Sequence, residues 1–117
     1  MNIHDSLYKI DSHKDGIFEV TMLEGHPVYE GHFPGQPITP GVLTLAMVRE
    51  CASMQCGKVL KYAAIKNCRL TAMIRPGERL QIKISMTPAE GCFLLTVSIA
   101  DLENVEKLQL DATLVVE

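Results

Sequence analysis

The sequence predicts an α+β domain in which one long helix packs against a curled antiparallel sheet. Two observations lead to this prediction. Residues 40–57 form a helix-like segment that is apolar on nearly every side, and four strand-like segments follow it. A helix that is apolar all round has to be enclosed, and the later strands are the part of the chain that can enclose it. The helix is therefore expected on one face of the sheet.

The part of the chain before the helix predicts one strand and one stiff loop. We expect a short helical turn from Asp5 to Lys9 and a strand from Gly16 to Leu23, where apolar and polar residues partly alternate. The loop follows Gly25, and three prolines and three glycines lie between Gly31 and Gly41. Proline fixes φ and glycine permits left-handed values, so this loop can hold a defined path and orient a side chain.

The end of this loop is expected to begin the helix. Thr39 is a suitable N-cap and Pro40 suits the first helical position, where a missing N–H costs nothing. Gly41 then exposes a backbone N–H at the positive end of the helix dipole. The sequence therefore predicts a place where an oxyanion can bind.

The segments after the helix read as strands joined by turns. The last three are expected to form a meander, because short polar or glycine-containing turns separate them. The predicted strands are Val59–Leu70, Glu78–Thr87, Cys92–Leu102 and Lys107–Val116.

Composition excludes several classes of function. The 117 residues suit one domain over 1–117, and the net charge of −3 gives no field that would attract nucleic acid. The four cysteines lack CxxC spacing, so we expect free thiols and no metal site. No apolar run is long enough to span a membrane and the first residues do not resemble a leader, so we expect a cytoplasmic protein without membrane contact.

Residues 31–43 carry a family resemblance. They read Gly-His-Phe-Pro-Gly-Gln-Pro-Ile-Thr-Pro-Gly-Val-Leu, which resembles the signature of the hotdog-fold 3-hydroxyacyl-(acyl-carrier-protein) dehydratases of the FabZ and FabA type. A weaker likeness continues from Ile65 to Ile74 and into Arg75-Pro76-Gly77-Glu78. The resemblance implies a single hotdog fold, in which the sheet wraps the long central helix. It also implies a homodimer or a trimer of dimers, with sites between subunits.

The resemblance implies a role for two residues of the loop and helix start. His32 would take the α-proton of a 3-hydroxyacyl thioester, and the Gly41 N–H would polarise the thioester carbonyl. Both roles are chemically sound, since neutral imidazole is a base near neutral pH and N–H donors stabilise an enolate oxygen. An ordinary loop histidine held by backbone hydrogen bonds is the alternative for His32. Tyr29 and Phe33 flank the histidine and could line an acyl tunnel or serve only in packing.

The family's proton donor is absent from this sequence. Its Glu or Asp stands fourteen positions after the histidine, on the partner subunit's helix, and that position is Ala46 here. Glu50 lies one helical turn further on the same face and is the predicted substitute. The alternative is a carboxylate paired with Arg49 or a lysine. Cys51 is expected to be a packing residue.

The function expected from these residues is dehydration of a 3-hydroxyacyl thioester to the trans-2-enoyl thioester, in fatty-acid or polyketide-like biosynthesis. No metal or redox cofactor is expected, because the substrate arrives on the phosphopantetheine of an acyl carrier protein or on coenzyme A. Ala46 favours a second reading, a catalytically silent hotdog subunit that binds acyl chains or pairs with an active dehydratase. An acyl thioesterase is the third.

Some of the basic residues after the helix could meet an acidic carrier protein, or all could be scattered and solvated: Lys58, Lys61, Lys66, Arg69, Arg75 and Arg79.

Overall fold

A computed structural model describes residues 3–31, 35 and 37–117, and these form a hotdog fold. Six strands make one antiparallel sheet in the order β1-β2-β4-β5-β6-β3, and one long helix lies against it. The α+β prediction and the hotdog expectation are confirmed. The elements in chain order are β1 (Tyr8–Lys14), β2 (Ile17–Met22), α1 (Val28–Gly31), α2 (Gly41–Cys56), β3 (Leu60–Leu70), β4 (Arg79–Ala89), β5 (Cys92–Asp101) and β6 (Glu106–Val116).

The helix α2 is enclosed because its apolar residues meet the concave face of the sheet. Met47, Val48, Cys51 and Ala52 are fully buried and pack against alternate residues of the strands. Every second residue of β2 and of the middle of β4, β5 and β6 is buried, as expected for strands with one face on the core. Gly57 ends the helix with a left-handed φ of 77°, and its N–H donates to the Ser53 carbonyl.

The start of α2 differs by one residue from the prediction. Pro40, with φ −59° and ψ 142°, occupies the N-cap position, and no side chain caps the helix. Thr39 is therefore not the N-cap. Its hydroxyl is instead within 2.8 Å of the Tyr29 hydroxyl, and its N–H donates to the Ile74 carbonyl. The Thr39 hydroxyl, which local propensity predicted as the helix cap, makes a tertiary contact with Tyr29 instead.

The strand β1 was not predicted from the sequence. The expected helical turn from Asp5 to Lys9 is a turn only over residues 5–7, and the strand begins at Tyr8. Six of its seven residues are half-buried or exposed, because β1 lies at one edge of the sheet. An exposed edge strand gives little hydrophobic alternation, so its sequence carries a weak signal.

The strand β3 forms the other edge of the sheet. It pairs with β6 along its whole length, but its second edge has no neighbouring strand among the residues described. All its residues after Tyr62 are exposed, including Ile65 and Leu70. An edge strand with eight consecutive exposed residues, some of them apolar, is a surface suited to pairing with another chain.

No helix within residues 3–31, 35 and 37–117 has the length and apolar character needed to cross a membrane.

Candidate active site

A pocket of about 590 Å³ lies between the first turn of α2 and the segment that follows β3. The helix contributes its N-terminal residues, and the residues that follow β3 form the opposite wall. The pocket is lined by Ile38, Thr39, Pro40, Gly41, Thr44, Leu70, Thr71, Ala72, Met73, Ile74, Arg75 and Lys107.

The N-terminus of α2 offers unused N–H donors at this pocket. The Pro40 carbonyl accepts the N–H groups of Leu43 and Thr44, at 3.0 and 3.1 Å, so the helix ladder begins with those two residues. Gly41 lies before them, and its N–H donates to no backbone acceptor in the described part of the chain. An N–H at the start of a helix, beside the positive end of the dipole, can stabilise a developing oxyanion. The predicted donor Gly41 thus lines a pocket.

Hydrogen bonds fix the wall opposite the helix. The Ile74 carbonyl accepts the Thr39 N–H at 2.7 Å, and the Arg75 N–H donates to Glu78 Oε1 at 2.7 Å. The Lys107 ammonium donates to the Met73 carbonyl at 2.9 Å. Hydrogen bonds therefore fix the backbone of three consecutive wall residues, Met73, Ile74 and Arg75.

Lys107 was missed by the sequence reasoning. It is 7% exposed, and its ammonium lies 3.0 Å from Glu78 Oε2 and 3.9 Å from Asp101 Oδ2. Its partners come from other strands and turns, so no local pattern marks it. Of the basic residues considered as a carrier-protein surface, only Arg75 lines the pocket, and all six are exposed.

Tyr29 packs against the core and is not among the residues that line this pocket, and its role in an acyl tunnel stays a prediction. It belongs to α1, packs against the core, and has its hydroxyl 2.8 Å from Thr39 Oγ1. Burial raises the pKa of this phenol, so it stays protonated at neutral pH. The contact joins Tyr29 of α1 to Thr39, which precedes α2.

His32 and Phe33 lie outside the described residues. The expectations that His32 is the base and that Phe33 lines a tunnel therefore stay predictions.

Glu50 is held by the N-terminal segment. Its Oε2 accepts the Ile3 N–H at 2.7 Å and its Oε1 accepts the Tyr8 hydroxyl at 2.9 Å. The Arg49 Nη2 atom lies 3.8 Å from Glu50 Oε2. Glu50 as a residue is 7% exposed, and it is not among the residues that line the pocket. The carboxylate thus lies beside Arg49, as the alternative to the acid role expects, and the acid role stays a prediction. A proton-donor role for Glu50 would require its carboxyl group to reach a substrate, and Glu50 is not among the residues that line this pocket.

Replacement of Glu50 is therefore expected to affect folding more than chemistry. Glu50→Ala leaves the Ile3 N–H and the Tyr8 hydroxyl buried without acceptors, so the free energy of unfolding should fall by about 3 kcal/mol. Glu50→Gln should lose less, because the amide oxygen still accepts a bond and the Tyr8 hydroxyl can accept one. Urea unfolding measures both, with the exposed Glu90→Ala as the unchanged control. A Glu50→Gln protein that is folded but inactive would restore the acid role.

Cys51 and Ala46 behave as packing residues. Burial raises the pKa of the Cys51 thiol to about 12, so it is protonated at neutral pH, which confirms the packing interpretation. Ala46 is half-buried against the core. No carboxylate is among the pocket-lining residues, and within the described ranges no group of three His, Cys, Asp or Glu residues could hold a metal.

Comparison with known proteins identifies relatives that match most of the chain. A family model described as ApeI-like, ApeI dehydratase, matches residues 9–107. The 3-hydroxyacyl-(acyl-carrier-protein) dehydratase FabZ of Halalkalibacterium halodurans is 36% identical over 83 residues, covering 65% of this chain and 58% of that protein. The FabZ of Alkaliphilus metalliredigens is 30% identical over 90 residues, covering 71% and 61%. The chain thus spans about three fifths of the length of these relatives.

A solved structure shares the fold. The dehydratase heterocomplex ApeI:P from Xenorhabdus doucetiae contains a chain that aligns with a TM-score of 0.69 at 19% identity, covering 85% of both chains. At this identity the likeness shows the hotdog fold alone.

Proposed function

The chain belongs to the ApeI-like dehydratase family, and we propose on this basis that it converts a 3-hydroxyacyl thioester to the trans-2-enoyl thioester. The observation that carries the proposal is the Gly41 N–H, which has no backbone acceptor among the described residues and lies at a pocket. An elimination next to a thioester carbonyl needs such a donor. Fatty-acid or polyketide-like biosynthesis is the proposed setting.

The proposed reaction has three coupled movements. His32 takes the proton from C2, and the electron pair left on C2 is delocalised onto the thioester oxygen, which the Gly41 N–H stabilises. The pair then forms the C2–C3 double bond, and the C3–O bond breaks. The leaving oxygen takes a proton and departs as water. The thioester itself acidifies C2, so the proposal needs neither a metal nor a redox cofactor.

The leaving hydroxyl also needs a proton donor. Ala46 cannot donate a proton, and the two oxygens of Glu50 already accept hydrogen bonds. The imidazolium formed on His32 holds the abstracted proton and is the first candidate donor. A carboxyl group supplied by a second hotdog subunit is the other.

The direct test is an assay of the purified protein alone. The protein is incubated with short 3-hydroxyacyl thioesters on acyl carrier protein and on coenzyme A, and loss of one water is followed by mass spectrometry. We expect the enoyl product to accumulate. An acyl thioesterase would instead release the free acid, but such an enzyme uses a carboxylate to activate water, and none lines the described pocket.

A second candidate function is a subunit that is silent alone and active in a mixed pair. Ala46 favours it, and so does the likeness to a chain of a structure described as a dehydratase heterocomplex. In that case the protein alone gives no product, whereas a mixture with a second hotdog subunit that carries the helix carboxylate does. Activity of the protein alone would exclude this candidate.

The proposed partners are a second hotdog chain and an acyl carrier protein. We expect β3 to pair with β3 of another subunit, because it is the edge strand that carries exposed apolar residues. Pairing at this edge gives a homodimer, a trimer of dimers or the mixed pair.

A charge placed on this edge should disrupt the pairing. Ile65 is 45% exposed on β3, and Ile65→Lys would bury an ammonium in the new interface. We expect the dimer dissociation constant to rise at least about tenfold, measured by analytical ultracentrifugation. Leu94→Lys is the matched control, because Leu94 is 46% exposed on β5, inside the sheet. Equal effects of the two changes would contradict pairing through β3.

A further inference from the structure

Lys107 is an unusual residue for the wall of a substrate pocket. Lysine side chains are rarely buried unless they are paired. The side chain of Lys107 alone is 9% exposed, and it lies near the carboxylates of Glu78 and Asp101. A buried ion pair adds little net stability compared with apolar packing, since desolvation of the charges offsets their attraction. We therefore expect Lys107, Glu78 and Asp101 to have a role other than stabilisation of the fold.

The ammonium is directed at the backbone of the pocket wall. It donates to the Met73 carbonyl at 2.9 Å, and Glu78 binds it at 3.0 Å through Oε2 while accepting the Arg75 N–H through Oε1. The Lys107 carbonyl also accepts the Thr71 N–H at 3.0 Å. One residue thus holds the wall at three points, directly or through Glu78.

A short backbone hydrogen bond joins the wall to the helix start. The Ile74 carbonyl, between Met73 and Arg75, accepts the Thr39 N–H at 2.7 Å. Thr39 immediately precedes Pro40, the N-cap of α2, and Gly41, whose N–H is the proposed oxyanion donor. Any shift of residues 73–75 would therefore reach the helix start through Thr39.

We propose that Lys107 is a positioning residue that fixes the distance between the pocket wall and the Gly41 N–H. The inference rests on the proposed dehydration for its catalytic consequence. Lys107 does not touch the reacting atoms, because its ammonium is occupied by Met73, Glu78 and Asp101. A displacement of about 1 Å in such a supporting contact can cost on the order of a hundredfold in rate.

The test compares three variants at the same cluster. Lys107→Met removes the charge and the bond to the Met73 carbonyl, and Lys107→Arg keeps a cation there. Asp101→Asn changes the more distant carboxylate, at 3.9 Å, and leaves the bond to Met73 in place. We expect kcat to fall about 10- to 100-fold in Lys107→Met, with KM nearly unchanged, and to fall less than threefold in the other two.

Amide hydrogen exchange separates positioning from loss of stability. In Lys107→Met the Thr39 and Arg75 amides should exchange at least about tenfold faster, while core amides of β4 and β5 keep their protection. Uniform acceleration across all amides, or unchanged exchange at Thr39, would overturn the inference. The exchange readout does not depend on turnover, so a wild-type protein without dehydratase activity would contradict the proposed function and still leave this inference testable.

Discussion

Replacing His32 by alanine is expected to abolish dehydration. If His32 is the base, its loss removes the only group proposed to take the C2 proton, and general-base catalysis by a positioned side chain contributes about 10²- to 10⁴-fold. The drop should appear in kcat and in kcat/KM alike, because proton transfer belongs to the transition state. Rates of enoyl formation, and of the reverse hydration, measure it.

The matched control for His32 is another histidine away from the pocket. His13 lies on the edge strand β1 and stacks on Phe18, with ring centroids 3.7 Å apart. His13→Ala should leave turnover within about twofold of the wild type. If His32→Ala retains full activity in a folded protein, the elimination mechanism through His32 is wrong.

Removal of the Gly41 N–H is expected to cost about 10²- to 10³-fold in kcat, the usual loss for one oxyanion donor. Only proline removes a backbone N–H, and the first turn of a helix accepts proline. Gly41 is the first residue of α2, where proline is accepted, and Pro40 has a ψ of 142°, which is compatible with a following proline. Gly41→Pro should therefore fold and lose activity.

Gly41→Ala supplies the matched control for the proline variant. A Cβ at Gly41 would lie 2.8 Å from Leu70 Cδ1, the mobile end of an exposed side chain that can move aside. Alanine shares this Cβ with proline but keeps the N–H, so comparison of the two variants isolates the donor. We expect Gly41→Ala to retain kcat within about tenfold. Equal losses in both variants, at equal stability, would show that crowding and not the N–H is responsible.

Much of the fold could be predicted because its signals are local. The apolar pattern of α2 and the turns between β4, β5 and β6 lie within short segments, and the structure confirms them within a few residues. β1 could not be predicted in this way, since an exposed edge strand needs little hydrophobic alternation. The helix cap was misassigned for a related reason. Thr39 has the local propensity of a cap, but its hydroxyl meets Tyr29 and its N–H meets Ile74.

The sequence by itself determined the α+β arrangement and placed Gly41 at a helix start, because periodicity and turn residues are properties of neighbouring residues. The resemblance of residues 31–43 to a known family implied the hotdog fold. Only the tertiary structure decided the roles of the buried charges. Glu50 is one turn from Ala46 on the helix, yet Ile3 and Tyr8 bind its carboxylate. Lys107 carries no motif, yet it holds the pocket wall with Glu78. A buried charge needs partners that offset the free-energy cost of its desolvation, so those partners determine what it does. Folding brings them from distant parts of the chain.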